Sequence, residues 1–253
     1  MPLGITRKHP EILAGLLIAG ALAWWWTAER MAGMGAAPGT SLGTLGWFTG
    51  SWVVMMAAMM LPSLAPTLAA YATASDGRVR WFLFTCGYLL LWAAAGVVAY
   101  GAFELGKSLI GAALAWHAGG RWVSGGVLAA AAAYQFSPAK RACLARCRGQ
   151  LLERSGRGAL AMGVRSGGWC LGCSWGLMAA LFALGVMSIT WMVVIAGLVA
   201  LEKAGPWRSS ARLVGATVLA LLALGIFVAP AHVPGFVLPG SPTAMHGMMK
   251  AMG

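Results

Sequence analysis

Seven long apolar stretches follow one another along the chain, and they restrict its possible folds more than any other feature. The stretches lie at about residues 12–28, 45–71, 81–105, 120–136, 166–187, 189–203 and 209–229. A transmembrane helix needs about 20 mostly apolar residues, and lipid offers no water to an unpaired backbone amide. The sequence therefore predicts an all-α, polytopic transmembrane helix bundle with about seven spans, or six, because the fourth and sixth stretches are short.

Three segments of the chain differ in composition from these stretches. Residues 137–165 form a basic loop that contains cysteines, within a bundle that is expected to occupy residues 1–229. Residues 230–253 are rich in Pro, Gly and Met and are predicted to form a tail outside the membrane. Segment 105–119 is weakly apolar, which favours a short separate helix in the membrane interface.

The basic residues are unevenly distributed between the two predicted sides of the membrane. The chain has 18 Lys and Arg against 6 Asp and Glu, a net charge of +12. Of these 18, 14 fall at the N-terminus and in the connections near 72–80, 137–165 and 203–212. Because Lys and Arg concentrate on the cytoplasmic side, the N-terminus is expected in the cytoplasm and the tail outside. The charge is thus explained by topology, so the lipid bilayer is the main expected partner and no nucleic acid is expected.

Groups that carry catalysis or proton transport are missing from the expected positions. No Asp, Glu, Lys, Arg or His falls near the centre of a predicted span, whereas proton-coupled transporters usually place such groups there. The sequence also has no recognisable nucleophile, acid–base pair or phosphate-binding loop. These absences predict that the protein is neither an enzyme nor a proton-coupled transporter.

Four methionines of the second stretch form what we term the methionine stripe: Met55, Met56, Met59 and Met60. On a helix they occupy an arc of about 140°. Thioethers are neutral, soft ligands that suit Cu(I), although methionine is also an ordinary filler of helix interfaces. Pro62 has no amide hydrogen and leaves the carbonyl of Ala58 without its helical partner, which predicts a kink beside the stripe.

Two pairs of cysteines have the spacing of neighbouring positions on a helix. Cys143 and Cys147 lie in the basic loop, and Cys170 and Cys173 lie at the start of the fifth stretch. Residues three or four apart share one helix face, so each pair can present two thiolates to Cu(I) or Zn(II). All four are on the predicted cytoplasmic side, where thiols stay reduced. The alternative is that they are small apolar residues beside a basic run that sets topology.

Further soft ligands lie along the fifth stretch and in the tail. Met178 follows the second cysteine pair in the fifth stretch. A row of glycines favours close helix packing there: Gly168, Gly172 and Gly176. The predicted outer tail carries a Met and His cluster: Met245, His246, Met248 and Met249. Because core packing does not explain exposed methionine, the tail is a candidate site for capturing Cu(I) outside the membrane.

Three motifs stand out when the chain is taken as a whole. They are Met55-Met-Ala-Ala-Met-Met-Leu-Pro62, Lys140-x2-Cys143-Leu-x2-Cys147-Arg148 and Cys170-Leu-Gly-Cys173-Ser-Trp-Gly-Leu-Met178. Together they resemble one bacterial family, a domain of unknown function described as a predicted metal-binding integral membrane protein. The resemblance covers about residues 47–205 and implies metal binding by the four paired cysteines, with the methionine stripe as a second element. The chain departs at Ser174, where many relatives place another cysteine.

The sequence leads to a main hypothesis and one alternative. In the main hypothesis, a multi-pass protein of the bacterial inner membrane binds a soft metal, Cu(I) in the first place, through Met and Cys ligands. It then serves copper handling or transport, with copper-carrying proteins or a membrane enzyme complex as expected partners. In the alternative, it is a non-catalytic membrane subunit of a larger complex, and its cysteines hold a structural Zn(II). The hypotheses differ in whether metal binding requires methionine.

Overall fold

Eight α-helices make up the described part of the structure, a computed structural model that covers residues 10–31, 43–74, 78–114, 120–149, 158–185, 188–204, 208–230 and 233. The helices are α1 (Pro10–Met31), α2 (Leu45–Ala74), α3 (Arg78–Leu114), α4 (Arg121–Tyr134), α5 (Pro138–Gly149), α6 (Ala159–Leu184), α7 (Ile189–Ala204) and α8 (Arg208–Val228). No β-strand occurs within these ranges, so the predicted all-α class is confirmed.

The seven predicted stretches each form a helix, and the eighth helix, α5, lies in the basic loop. Among the described residues, four helical segments are long and apolar enough to cross a membrane: Leu45–Leu64, Val79–Ser108, Ala159–Leu184 and Ser210–Val228. Helices α4 and α7 have 14 and 16 residues. At 1.5 Å per residue they are about 21 and 24 Å long, less than the roughly 30 Å of a hydrocarbon core. The long apolar helices are those of a multi-pass membrane protein.

One predicted element differs from the structure. The separate interfacial helix expected at 105–119 is wrong for residues 105–114, which continue α3 to Leu114. These ten residues contain no proline, so every backbone amide can keep its helical hydrogen bond and nothing ends the helix at residue 105.

The helices divide into two compact units. The first unit contains residues 1–27, 44–99 and 141–173, and the second contains residues 28–43, 100–140 and 174–253. The first unit therefore holds α2, most of α1 and α5, and the N-terminal parts of α3 and α6. The second holds α4, α7 and α8 with the remaining parts of the shared helices.

Helix α1 packs against α2 at the position of Pro62. The indole Nε1 of Trp24 donates a hydrogen bond of 3.1 Å to the carbonyl oxygen of Ala58, which is the carbonyl that Pro62 cannot bond. Gly20 leaves room for the proline ring, since a Cβ at Gly20 would lie 3.2 Å from Pro62 Cγ. Helix α2 thus continues through Pro62 to Ala74, because α1 supplies the missing donor.

Helices α3 and α6 touch backbone to backbone in the first unit. A Cβ at Gly87 of α3 would collide with the carbonyl of Leu160, and a Cβ at Gly163 of α6 would collide with the carbonyl of Phe84. Gly167, one turn further along α6, is also buried against α3. Small residues spaced by four allow helices to approach this closely in membranes. The crossing fixes the depth and rotation of α3 relative to α6 within this unit.

One added methyl group at this crossing is expected to destabilise the protein. Gly163→Ala should lower the free energy of unfolding by about 1–3 kcal/mol, the usual cost of overpacking, because the new Cβ meets backbone atoms of α3. The measurement is chemical unfolding of the purified protein in detergent. Gly168→Ala is the matched control, since a Cβ at this exposed member of the predicted glycine row would meet only Leu91 Cδ2 at 3.8 Å. Equal losses in the two variants would contradict the crossing.

A buried ion pair lies in the second unit, where α5 begins. Lys140 Nζ is 2.8 Å from Glu202 Oε2 and 3.0 Å from Oε1, and the two side chains are 1% and 3% exposed. The side-chain oxygen of buried Gln135 has no hydrogen-bond partner in the part of the chain that the structure describes. A Cβ at Gly215 of α8 would lie 3.2 Å from both Gln135 Nε2 and Glu202 Oε1. The pair therefore joins the first turn of α5 to α7, and a glycine of α8 makes room for it.

Candidate metal centre

The methionine stripe is buried in the first unit. Its four side chains are each no more than 3% exposed. Trp52, Ala58 and Leu61 of the same helix are also buried, so α2 is covered on more than one side. Burial alone fits a packing role as well as a ligand role, so the groups that the stripe contacts are the relevant observation.

The end of the stripe meets a thiol and a phenol from two other helices. Cys170 Sγ of α6 lies 3.9 Å from Met60 Sδ and 2.9 Å from the hydroxyl oxygen of Tyr88 of α3. Cys173 is one turn further along α6, and its thiol donates to the carbonyl oxygen of Cys170 at 3.1 Å. All four residues are buried, with Met60 fully inaccessible and Cys170 and Tyr88 1% exposed. We call Met60, Tyr88, Cys170 and Cys173 the sulfur cluster.

The separation of the two sulfur atoms suits a shared metal ion. Two sulfur ligands about 2.3 Å from one ion, at an angle of about 120°, lie about 4 Å apart. The distance of 3.9 Å between Met60 Sδ and Cys170 Sγ is close to this value. Thioethers and thiolates are the ligands that select Cu(I). The cluster therefore has two sulfur donors at a spacing that fits a shared soft metal ion.

The cysteine pair of α5 lies against α6 in the same unit. A Cβ on Gly172 would be 2.8 Å from Cys143 Sγ, so the missing side chain of Gly172 allows this thiol to reach the backbone of α6. The guanidinium of Arg146 lies over the ring of Trp169, 4.6 Å from its centroid, which is a cation–π contact. Cys143 and Cys147 are both half-buried, so they are more accessible than the thiols of the sulfur cluster.

The cysteines do not gather into a zinc-type site. Among the residues with a described position, no group of three or more His, Cys, Asp or Glu side chains is placed to hold a metal. All five cysteines belong to these residues, and none forms a disulfide. A structural Zn(II) site usually has four such ligands. The structure therefore does not support the alternative of one four-cysteine zinc site.

The remaining predicted ligands belong to the second unit or lie beyond the described residues. Met178 is buried in the second unit. The predicted tail cluster lies outside the described residues: Met245, His246, Met248 and Met249. The structure thus brings the end of the methionine stripe to the α6 cysteine pair, and whether any of these residues binds metal stays a prediction.

Tyr88 is the member of the sulfur cluster that the sequence analysis does not identify. Its hydroxyl belongs to the apolar stretch that forms α3. Tyr88 lies eleven residues before Ala99, where the first-unit part of this helix ends. A buried tyrosine hydroxyl usually has a hydrogen-bond partner. A tyrosine inside an apolar stretch was therefore the signal that could have indicated a polar contact here. Periodicity cannot name the partner, because Cys170 is 82 residues away in sequence.

Membrane-length apolar helices around a buried thioether, thiol and phenol define a helical, membrane-type protein with a soft-ligand centre. The family model of PpoB2, described as a copper chaperone, matches residues 49–228. The chain belongs to this copper chaperone family, and copper is accordingly the metal that it handles. No curated protein and no solved structure matches the chain. The predicted resemblance to a metal-binding membrane family is thereby confirmed in its general sense, with copper as the metal.

Proposed function

We propose that the protein is a Cu(I) chaperone of the bacterial inner membrane that holds its cargo in the sulfur cluster. The observation that carries this proposal is the 3.9 Å distance between Met60 Sδ and Cys170 Sγ in a buried position. Family membership supports copper as the cargo. The chemistry of the donors supports the oxidation state, because soft thioether and thiolate sulfur favours Cu(I).

Charge balance explains why a mixed site suits the interior of a membrane protein. Cu(I) replaces the thiol proton of Cys170, so one S–H bond is broken, one Cu–S bond forms, and one proton leaves to solvent. The single thiolate cancels the positive charge of Cu(I), and Met60 adds a second bond without adding charge. A neutral loaded site avoids the large cost of burying a net charge. Cys173 keeps its thiol hydrogen in this scheme, because its thiol donates to the carbonyl oxygen of Cys170, and it therefore adds no second negative charge.

We further propose seven spans with a cytoplasmic N-terminus. In the first unit, Tyr88 lies ten residues after the start of α3 at Arg78, and Cys170 lies eleven residues after the start of α6 at Ala159. Their contact supports similar depths, on the same side of the membrane, for the starts of these two helices. The connections before both helices carry the excess of basic residues, which supports a cytoplasmic location for that side.

The remaining predicted ligands extend this proposal along the chain. Met55, Met56 and Met59 would carry Cu(I) along α2 to the cluster, and the half-buried thiols of Cys143 and Cys147 would exchange it with a carrier in the cytoplasm. The bundle of residues 1–229 would present the tail, residues 230–253, outside, where its Met and His side chains would capture Cu(I). In this scheme the protein moves copper between carrier proteins and catalyses no reaction.

Copper titration of the purified protein in detergent tests the proposal. Cys170→Ser is expected to abolish the tight Cu(I) site. Met60→Leu is expected to weaken Cu(I) binding by at least about 10–100-fold, because loss of even an outer-shell partner costs this much affinity in other metal sites. Affinity is measured by competition with a chromophoric Cu(I) chelator. The matched controls are Cys86→Ser and Met162→Leu, which remove sulfur from half-buried positions outside the cluster. A Cys170→Ser protein with wild-type affinity would exclude the sulfur cluster as the copper site.

A further inference from the structure

We infer that Tyr88 is a positioning residue for the copper site. Its hydroxyl holds the sulfur of Cys170 towards Met60 and supports that sulfur when copper is bound. The inference rests on the proposed function, namely that Cys170 binds Cu(I). It adds a residue that none of the predicted ligand motifs contains, and it assigns a purpose to a hydroxyl that is buried among apolar helices.

Cys170 Sγ is in hydrogen-bond contact with two groups of the cluster. It lies 3.9 Å from Met60 Sδ, to which its thiol can donate. It also lies 2.9 Å from the hydroxyl oxygen of Tyr88, and either of these two atoms can be the donor. Once Cys170 has lost its single thiol hydrogen, only the Tyr88 hydroxyl can donate in this contact. The two contacts hold Cys170 Sγ within reach of both Met60 and Tyr88.

The backbone of Tyr88 is fixed at the same place. A Cβ at Gly163 would lie 3.0 Å from the Tyr88 amide nitrogen, and a Cβ at Gly167 would lie 3.2 Å from the Tyr88 carbonyl oxygen. Tyr88 thus sits on the backbone crossing of α3 and α6, and its ring is buried. A rigid aromatic side chain anchored in this way holds its hydroxyl at a defined point, whereas a flexible polar side chain would not.

The role of the hydroxyl follows from what changes on loading. When Cu(I) replaces the thiol hydrogen, Cys170 loses its contact to Met60 as a donor but can still accept a hydrogen bond from Tyr88. Hydrogen bonds from outer-shell groups orient metal ligands and tune their donor strength. The contact between the Tyr88 hydroxyl and Cys170 Sγ can therefore persist after copper binds, with the hydroxyl as the donor.

The test compares Tyr88→Phe with Tyr100→Phe in the full-length protein. Each change removes one hydroxyl. The hydroxyl of Tyr100 donates to the carbonyl oxygen of Gly43 at 3.0 Å. Both of these residues belong to the second unit, whereas the sulfur cluster belongs to the first. Tyr88→Phe is expected to lower the Cu(I) affinity by about 10–100-fold and to change the Cu–S charge-transfer absorption. Tyr100→Phe is expected to leave both at the wild-type values.

Two results would overturn the inference, and they can be told apart from failure of the proposed function. If Tyr88→Phe keeps the affinity and the absorption spectrum of the wild type while Cys170→Ser loses copper, Tyr88 has no positioning role and the proposed site stands. If Cys170→Ser itself keeps wild-type affinity, the site and the inference both fail. X-ray absorption at the copper edge gives an independent readout, because loss of positioning would reduce the number of sulfur neighbours of copper in Tyr88→Phe.

Discussion

Replacing Lys140 by methionine is expected to lower the free energy of unfolding by about 3–5 kcal/mol, because breaking a buried ion pair leaves a buried charge without compensation. The Glu202 carboxylate is 3% exposed and lies 2.8 Å from the Lys140 ammonium. Methionine has a similar length and no charge, so packing is changed far less than electrostatics. The measurement is the unfolding free energy in detergent, as for the glycine variants.

Two further variants show whether the ion pair is responsible for this loss. The double variant Lys140→Met with Glu202→Leu is expected to recover most of the stability, since replacing a whole buried pair by apolar groups is often neutral. Lys107→Met breaks an exposed ion pair, in which the side chains of Lys107 and Glu104 are 45% and 41% exposed and their charged atoms are 3.4 Å apart. This change should cost no more than about 1 kcal/mol. If the double variant is as unstable as Lys140→Met, the loss comes from packing and the electrostatic explanation is wrong.

Replacing the whole methionine stripe by leucine is expected to weaken copper binding by at least about 10–100-fold and to reduce copper movement to background. The variant carries Met55→Leu, Met56→Leu, Met59→Leu and Met60→Leu, which remove every thioether from α2 while keeping apolar volume. Each exchange of Met for Leu usually costs less than about 1.5 kcal/mol. The protein should therefore still fold, and the loss would report on sulfur chemistry. Copper content after purification and copper movement in proteoliposomes are the two measurements.

A triple variant separates the route along α2 from the sulfur cluster. With Met60 kept and the other three methionines replaced by leucine, the cluster is intact, so equilibrium Cu(I) affinity should stay at the wild-type value. Loading should become slow, because the thioethers that would carry Cu(I) to Met60 are gone. Copper content that is unchanged in the quadruple variant would reject the methionine stripe as a copper route.

The features that local rules govern were predictable from the sequence. Apolar stretches of helical length predicted an all-α chain, and each stretch forms a helix. The chemistry of Pro62 predicted an unpaired carbonyl at Ala58, and the structure places the indole of Trp24 on that carbonyl. These two inferences succeed because they depend on residues that are near one another in sequence. Spacing along their own helices also predicted Met60 and Cys170 as soft ligands, and the structure brings their sulfur atoms to 3.9 Å, while metal binding by them stays a prediction.

The features that depend on contacts between distant helices were not predictable in the same way. The Lys140–Glu202 pair joins a residue of the predicted basic loop to one at the end of the apolar stretch 189–203. Charges at both kinds of position are normally solvated, so composition gave no reason to expect burial. The crossing of α3 and α6 uses Gly163 and Gly167. Gly168, which the predicted row contains, lies on a different face of α6 and is exposed. A shift of one residue turns a helix by about 100°, and the sequence of one helix does not determine which face its neighbour covers.

If the sulfur cluster is the copper site, the distance in sequence between its residues also governs when the protein can first take up copper. Cys170 follows Tyr88 by 82 residues and Met60 by 110 residues. At about 5–20 residues per second of synthesis, the ribosome needs about 5–20 s after Met60 before it adds Cys170. During that interval the nascent chain has the methionine stripe but not yet Cys170. Under the proposed function, copper loading at the sulfur cluster would thereby be restricted to chains whose sixth helix has already been made.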